Sequence, residues 1–156
     1  MGIGAGLLMA AALRSFGGGE SEFAVAVAAS SVGSLLPDRL EIARWKEEGW
    51  FLNKRKVRKS LIPHRTFTHW PVFWIAVGVA GFATFTDVHL RIAAVALSVG
   101  ALVHILGDAM TPMGVPLWNP LGRKYSLRWV RSLVAEWLIA WGFLASSVAI
   151  YVGVVR

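Results

Sequence analysis

Apolar positions fall in five long runs, at residues 1–13, 23–36, 70–86, 90–107 and 133–155, with Arg91 the single charge near the start of the fourth. A helix needs about 20 apolar residues to cross the hydrocarbon core, within a range of about 17–25. The third, fourth and fifth runs meet that length and predict membrane helices. The first two fall short, so they predict short tilted helices, a re-entrant hairpin, or spans lengthened by flanking residues. Gly17, Gly18 and Gly19 supply a turn between them. No Lys or Arg precedes the first run, so a cleaved signal peptide with its positive n-region is not expected. The expected fold is all-α, a small polytopic membrane bundle of about 4–5 membrane helices, the first two short. At 156 residues it is expected to form a single domain.

Composition agrees with the pattern. Hydrophobic residues make up 56% of the chain and charged residues 16%, against roughly 25% charged in soluble domains. That content and the eight tryptophans exclude disorder. With no cysteine there is no disulfide, no Cys-ligated zinc and no catalytic thiol. The net charge of +7 alone would fit a nucleic-acid binder, but that class has no use for long uncharged apolar runs. Nucleic acid is therefore not an expected partner.

The distribution of charge says more than its sum. Nine basic residues lie between Asp38 and His69: Arg39, Arg44, Lys46, Lys54, Arg55, Lys56, Arg58, Lys59 and Arg65. Four more, Arg123, Lys124, Arg128 and Arg131, lie in the connection 108–132. The connections at 14–22 and 87–91 carry one each. The positive-inside rule places the two basic connections in the cytoplasm, with the N-terminus inside and the C-terminus outside, in a multi-pass cytoplasmic (inner) membrane protein. Trp45, Trp50 and Phe51 sit among the charges of the first connection, which predicts a segment at the headgroup level. The run 54–59 would attract anionic membrane lipid at roughly 1 kcal/mol per charge, or act only as a topology signal. Trp70 and Pro71 mark the entry to the third run, where Pro suits a first helical position. Gly2 and Gly6 form a weak Gly-x-x-x-Gly packing signal.

The remaining polar residues gather at the same predicted face. Asp38 ends the second run, His64 and His69 precede the third, His104 and Asp108 close the fourth, and Glu136 lies one turn into the fifth. His104 and Asp108, four apart, share one helix face. Imidazole nitrogen and carboxylate oxygen are ligand types for a divalent metal, Zn²⁺ first, with Mn²⁺ or Fe²⁺ also suited. Each residue also has a plain reading. His104 suits a helix C-terminus, Asp38 a turn after Pro37, and Glu136 an ion pair with Arg128 or Arg131.

Three motifs, Leu36-Pro37-Asp38, His64-Arg65-Thr66-Phe67-Thr68-His69, and His104-x-x-x-Asp108 followed by Thr111-Pro112-Met113-Gly114-Val115, resemble the LexA-regulated, membrane-bound metal-dependent hydrolases, the YdjM-like family. The resemblance spans roughly residues 6–120. That family is in turn similar to zinc-dependent phospholipase C and nuclease sequences, in which His and Asp bind clustered zinc. Two departures stand out. Members usually carry a His in the first apolar run, and this chain has none; many carry a second acid where Leu40 stands here, with Glu41 next to it. A site using several metals would be short of ligands, which leaves a single metal or a lost activity open.

Together these features predict a metal-dependent hydrolase of an ester, a lipid phosphoester above all, at the cytoplasmic membrane face. Asp38, His64, His69, His104 and Asp108 are its expected ligands. Arg65 would hold a phosphoryl oxygen or serve as a topology charge. Glu136 would be the general base, with Thr68 and Thr111 orienting ligands. The loop 112–120, with three prolines and Gly114, is not expected to be helical and would dip into the interface. The rival is a non-catalytic membrane protein whose His/Asp cluster is a structural metal or hydrogen-bond site. Transport ranks last, because no ionisable residue lies deep in the last three runs. The sequence leaves the oligomeric state open.

Overall fold

Turn chemistry decides where each helix begins and ends. In the computed structural model, which describes residues 1–40, 43–48, 55–60 and 65–155, the first run forms α1 (Gly2–Ser15). It ends in a Schellman motif. Gly17 adopts φ 83°, its N–H bonds the Arg14 carbonyl at 3.0 Å, and the Gly18 N–H bonds that of Leu13 at 2.8 Å. Helix α2 (Glu20–Gly33) starts before its apolar run, because the Glu22 carboxylate accepts from the Gly19 N–H at 3.0 Å. A one-turn helix α3 (Leu36–Arg39), opened by Pro37, carries Asp38. A 3-10 turn, Phe67–His69, leads into α4 (Pro71–Thr84). Asp87 caps α5 (Val88–Met110) by accepting from the Leu90 N–H at 2.9 Å. Helix α6 (Leu133–Val155) matches the fifth run residue for residue.

Two expectations change in detail. The third run is long enough to span, yet α4 has 14 residues, because Phe85–Asp87 leave the helix to turn the chain into α5. Among the described helices, α5 and α6 are long and apolar enough to cross a membrane, while α1 and α4 are shorter apolar helices. The first basic connection contains an antiparallel hairpin, β1 (Ala43–Glu48) with β2 (Arg55–Ser60), in register from Ala43↔Ser60 to Glu48↔Arg55. Its sequence offers a helix no apolar stripe to bury. The register sets Glu47 opposite Lys56 and Glu48 opposite Arg55 along the backbone. Trp50, Phe51, Lys54, Glu41 and His64 lie outside the described residues. Apart from this hairpin and a second, β3 (Val115–Pro116) with β4 (Lys124–Tyr125), the fold is all-α, as expected.

Packing inverts the pattern of a soluble bundle. The buried helix faces are built from small residues: Gly4, Ala5 and Ala10 on α1, Ala26 and Ser30 on α2, Gly78 and Gly81 on α4, Ala96 and Ala101 on α5. The large apolar side chains Phe73 and Phe82 of α4 and Trp137, Leu138 and Trp141 of α6 point outward. Lipid is as apolar as leucine, so association in a bilayer depends on close approach of backbones and interhelical hydrogen bonds. Ser30 Oγ supplies one such bond, donating to the Gly2 carbonyl at 3.0 Å, and Ser98 Oγ another, to the Trp74 carbonyl. Helix α1 packs on α2, α5 and α6; α2 and α4 pack on α5.

The loop after α5 is not helical, in agreement with its prolines. It folds back and supplies donors to the helix end: Leu127 N–H to the Ala109 carbonyl at 2.9 Å, and Val130 N–H to that of Met110 at 3.1 Å. Val115, fully buried, closes a small core with Trp74, Ala101 and Ile105 directly beneath the polar end of α5.

Candidate metal centre

Three elements deliver the polar cluster, and a loop steadies it. Pro37 starts the one-turn helix that presents Asp38. The 3-10 turn buries His69 completely, fixed from below by Trp74, whose Nε1 donates to the Thr68 carbonyl at 2.8 Å. The helical spacing of α5 stacks His104 above Asp108, and the returning loop holds that helix end in place.

The donor atoms converge. His69 Nε2 lies 3.3 Å from Asp38 Oδ1 and 3.2 Å from Asp108 Oδ2. His104 Nε2 lies 3.5 Å from Asp38 Oδ1 and 3.8 Å from Asp108 Oδ2. The two imidazole rings are 5.5 Å apart and tilted by 57°. One donor atom from each of Asp38, His69 and His104 lies within 4.8 Å of the others, close enough to hold one metal ion. Asp108 borders both imidazoles but stands outside that trio.

The geometry tests whether a metal fits. Ligand atoms about 2.0–2.1 Å from a tetrahedral zinc lie about 3.3 Å from each other. The Asp38 contacts at 3.3 and 3.5 Å have that spacing. Among the described residues, His104 Nε2 is a buried atom with no hydrogen-bond partner, a group that ligation of a cation would satisfy. His69 Nδ1 lies 3.1 Å from Thr68 Oγ1, a contact that orients the ring with Nε2 toward the carboxylates. The donor set fits a divalent ion.

Arg65 is placed as a clamp on the cluster. Its Nη2 donates to Asp108 Oδ1 at 3.0 Å and its Nη1 to Thr111 Oγ1 at 3.0 Å. Thr111 Oγ1 also donates to the Asp108 carbonyl at 2.7 Å. Arg65 does this from φ 56°, a left-handed backbone rarely adopted by a side-chain-bearing residue. Replacing Arg65 by methionine is expected to destabilise the fold by about 2 kcal/mol, since the half-buried Asp108 carboxylate loses its charged partner. Thermal unfolding in detergent reads this directly, and an unchanged transition would contradict the clamp.

Glu136 borders the same site. A cavity of about 260 Å³ is lined by His104, Asp108 and Glu136, with Ser34, Met1 and Ile139 among its other walls. Asp38 is 58% exposed, His104 20% and Asp108 16%, so the trio is sealed beneath and open above. Thus Asp38, His69, His104, Asp108 and Arg65 come together, Glu136 shares the cavity lining with His104 and Asp108, and the expected ligand His64 lies outside the described residues. Reasoning from sequence missed the cavity walls Met1, Ser34 and Ile139. They are ordinary residues, and no local signal singles them out.

The comparisons agree with the sequence motifs. Neither the curated proteins nor the solved structures searched contain a match to this chain. The profile of the family described as YdjM inner membrane protein matches residues 1–155. With nearly its whole length matched, this membrane chain belongs to the YdjM inner membrane protein family.

Proposed function

We propose that the protein is a multi-pass, metal-dependent hydrolase that cleaves an ester, a lipid phosphoester above all, at the cytoplasmic face of the inner membrane. The convergence of Asp38 Oδ1, His69 Nε2 and His104 Nε2 at ligand spacing beside an open cavity carries this reading. Three protein ligands with one open side is the pattern of catalytic zinc, whereas structural zinc sites close with four. The orientation rests on the two basic connections, which flank the cluster in sequence.

Asp38, His69 and His104 would hold the ion, with Zn²⁺ the best match to the donor set. A divalent ion bound there supplies a water of pKa about 7 and polarises the oxygen under attack. Thr68 would orient His69, whose Nδ1 lies 3.1 Å from its hydroxyl. Arg65 holds Asp108 Oδ1, leaving Oδ2 turned toward the imidazoles; it acts as a positioning residue, its guanidinium engaged by Asp108 and Thr111. Glu136, which lines the same cavity as His104 and Asp108, would take a proton as general base. The proposed family likeness to phospholipase C points to the same class of bond.

Elemental analysis of the detergent-purified protein tests the reading, followed by assay against phospholipids and soluble phosphodiesters. About one divalent ion per chain and metal-dependent release of a phosphoester product are expected. A chain that takes up no zinc on reconstitution, or that loads zinc and cleaves no member of either panel, overturns it.

A further inference from the structure

The polar cavity has an apolar extension. A second pocket of about 100 Å³ shares Met1, Gly107, Met110 and Ile139 with the first and adds Val103, Leu106 and Phe143. Only apolar side chains and glycine line it. Its position follows from the helix packing: α6 packs against α1, and no comparable contact joins it to α5. The space between α5 and α6 is therefore floored by the start of α1 and opens between two helices whose outward faces are apolar.

The pocket also has a direction. Val103 precedes Asp108 by about 7 Å of α5, and Phe143 follows Glu136 by about 10 Å of α6, at 1.5 Å per residue. Both displacements lead away from the metal centre, toward the N-terminal end of α5 and the C-terminal end of α6. The cavity above the slot is polar where the slot is not: His104, Asp108, Glu136 and Ser34 stand in its lining. A polar cavity beside the His/Asp cluster that continues into a dry slot matches a phospholipid, headgroup ester above and tail below.

We propose that the gap between α5 and α6 is an acyl-chain groove, which seats one tail of a phospholipid and presents its headgroup ester to the Asp38–His69–His104 cluster from the bilayer side. This deepens the hydrolase reading and rests on it for the word substrate. The groove itself is a binding site whose occupancy can be read without turnover.

The full-length protein is reconstituted in phosphatidylcholine nanodiscs containing a trace of phosphatidylglycerol with a diazirine at mid-chain, then irradiated, and the labelled residues are mapped by mass spectrometry. Label is expected on Val103, Leu106, Ile139 or Phe143 in excess over the outward-facing Leu138 and Trp141. Val103→Trp and Ile139→Trp, which fill the slot from opposite walls, are each expected to cut groove labelling about tenfold or more, while labelling of Leu138 and Trp141 persists and reports an intact fold. Groove labelling no greater than outward labelling overturns the proposal, as does undiminished labelling in both filled variants. Asp38→Asn separates the two readings, because it removes a metal ligand far from the slot. Groove labelling that survives in Asp38→Asn while zinc and hydrolysis are lost supports both readings, whereas groove labelling in an unsubstituted chain that takes up no zinc leaves the lipid site standing and removes the catalytic reading.

Discussion

His104→Ala is expected to reduce bound metal from about one ion per chain to less than about a tenth, and to lower phosphoester hydrolysis by about a thousandfold or more. Disturbing a group that merely orients a ligand typically costs about 10–100-fold, and removing the ligand itself leaves two donors on an open face. His104 is the informative position because its ring borders the cavity and is 20% exposed. Truncation therefore enlarges an existing space and leaves no sealed void, so the helical fold is expected to persist by circular dichroism. His69 lacks this advantage: it is fully buried, and its loss would unseat the 3-10 turn as well. Asp108→Asn, which keeps shape and removes charge, is expected to fall between, at about 10–100-fold. Asp87→Asn, at the opposite end of α5, is expected to leave metal content unchanged. A folded His104→Ala protein with full hydrolytic activity would place the chemistry elsewhere in the chain.

Chemistry was more legible in the sequence than shape. Asp38, His69, His104 and Asp108 stand out because ionisable residues beside apolar runs are costly and need partners, and the structure brings those four together. Helix existence was legible for the same reason, since apolar run and charged break are both local. The end of α4 was not, because nothing in 70–86 marks where the chain must leave the helix to meet the Asp87 cap. The function of Arg65 was half legible. Its charge was evident, but its grip on Asp108 and Thr111 joins residues more than forty positions apart. Met1 at the cavity wall also gives the missing N-terminal histidine a physical meaning. The first turn of α1 borders the cavity that His104 and Asp108 line, so a ligand carried there could reach the site. In this chain the thioether of Met1 stands at that wall.

The small-residue crossing of α2 and α5 was invisible to periodicity, and it makes the sharpest stability prediction. Gly100 faces the Ser30 backbone and Gly33 faces the Leu97 backbone, so each helix supplies the gap the other fills; a methyl at either position would overlap a carbonyl. In an ordinary helix Gly→Ala is favourable by about 1 kcal/mol. At Gly100 the sign reverses, because a backbone carbonyl, unlike a flexible side chain, cannot move aside. Gly100→Ala is expected to destabilise by about 3 kcal/mol or more, the upper end for overpacking. Gly142→Ala and Gly153→Ala on α6, where an added methyl meets nothing within 4 Å, are expected to be neutral or mildly stabilising. The crossing also sets the site. α2 leads directly into the α3 turn that carries Asp38, and Gly100 lies one turn from His104. Forcing the helices apart therefore lengthens the 3.5 Å approach of Asp38 Oδ1 to His104 Nε2, and zinc affinity is expected to fall together with stability. Unfolding transitions in detergent and zinc titration of the same three variants give both readouts. If Gly100→Ala matches the α6 controls in both, then α2 and α5 do not meet as closely as this crossing requires. A loss of stability with zinc affinity intact would mean that the Asp38 turn is held by α5 and the 3-10 turn alone.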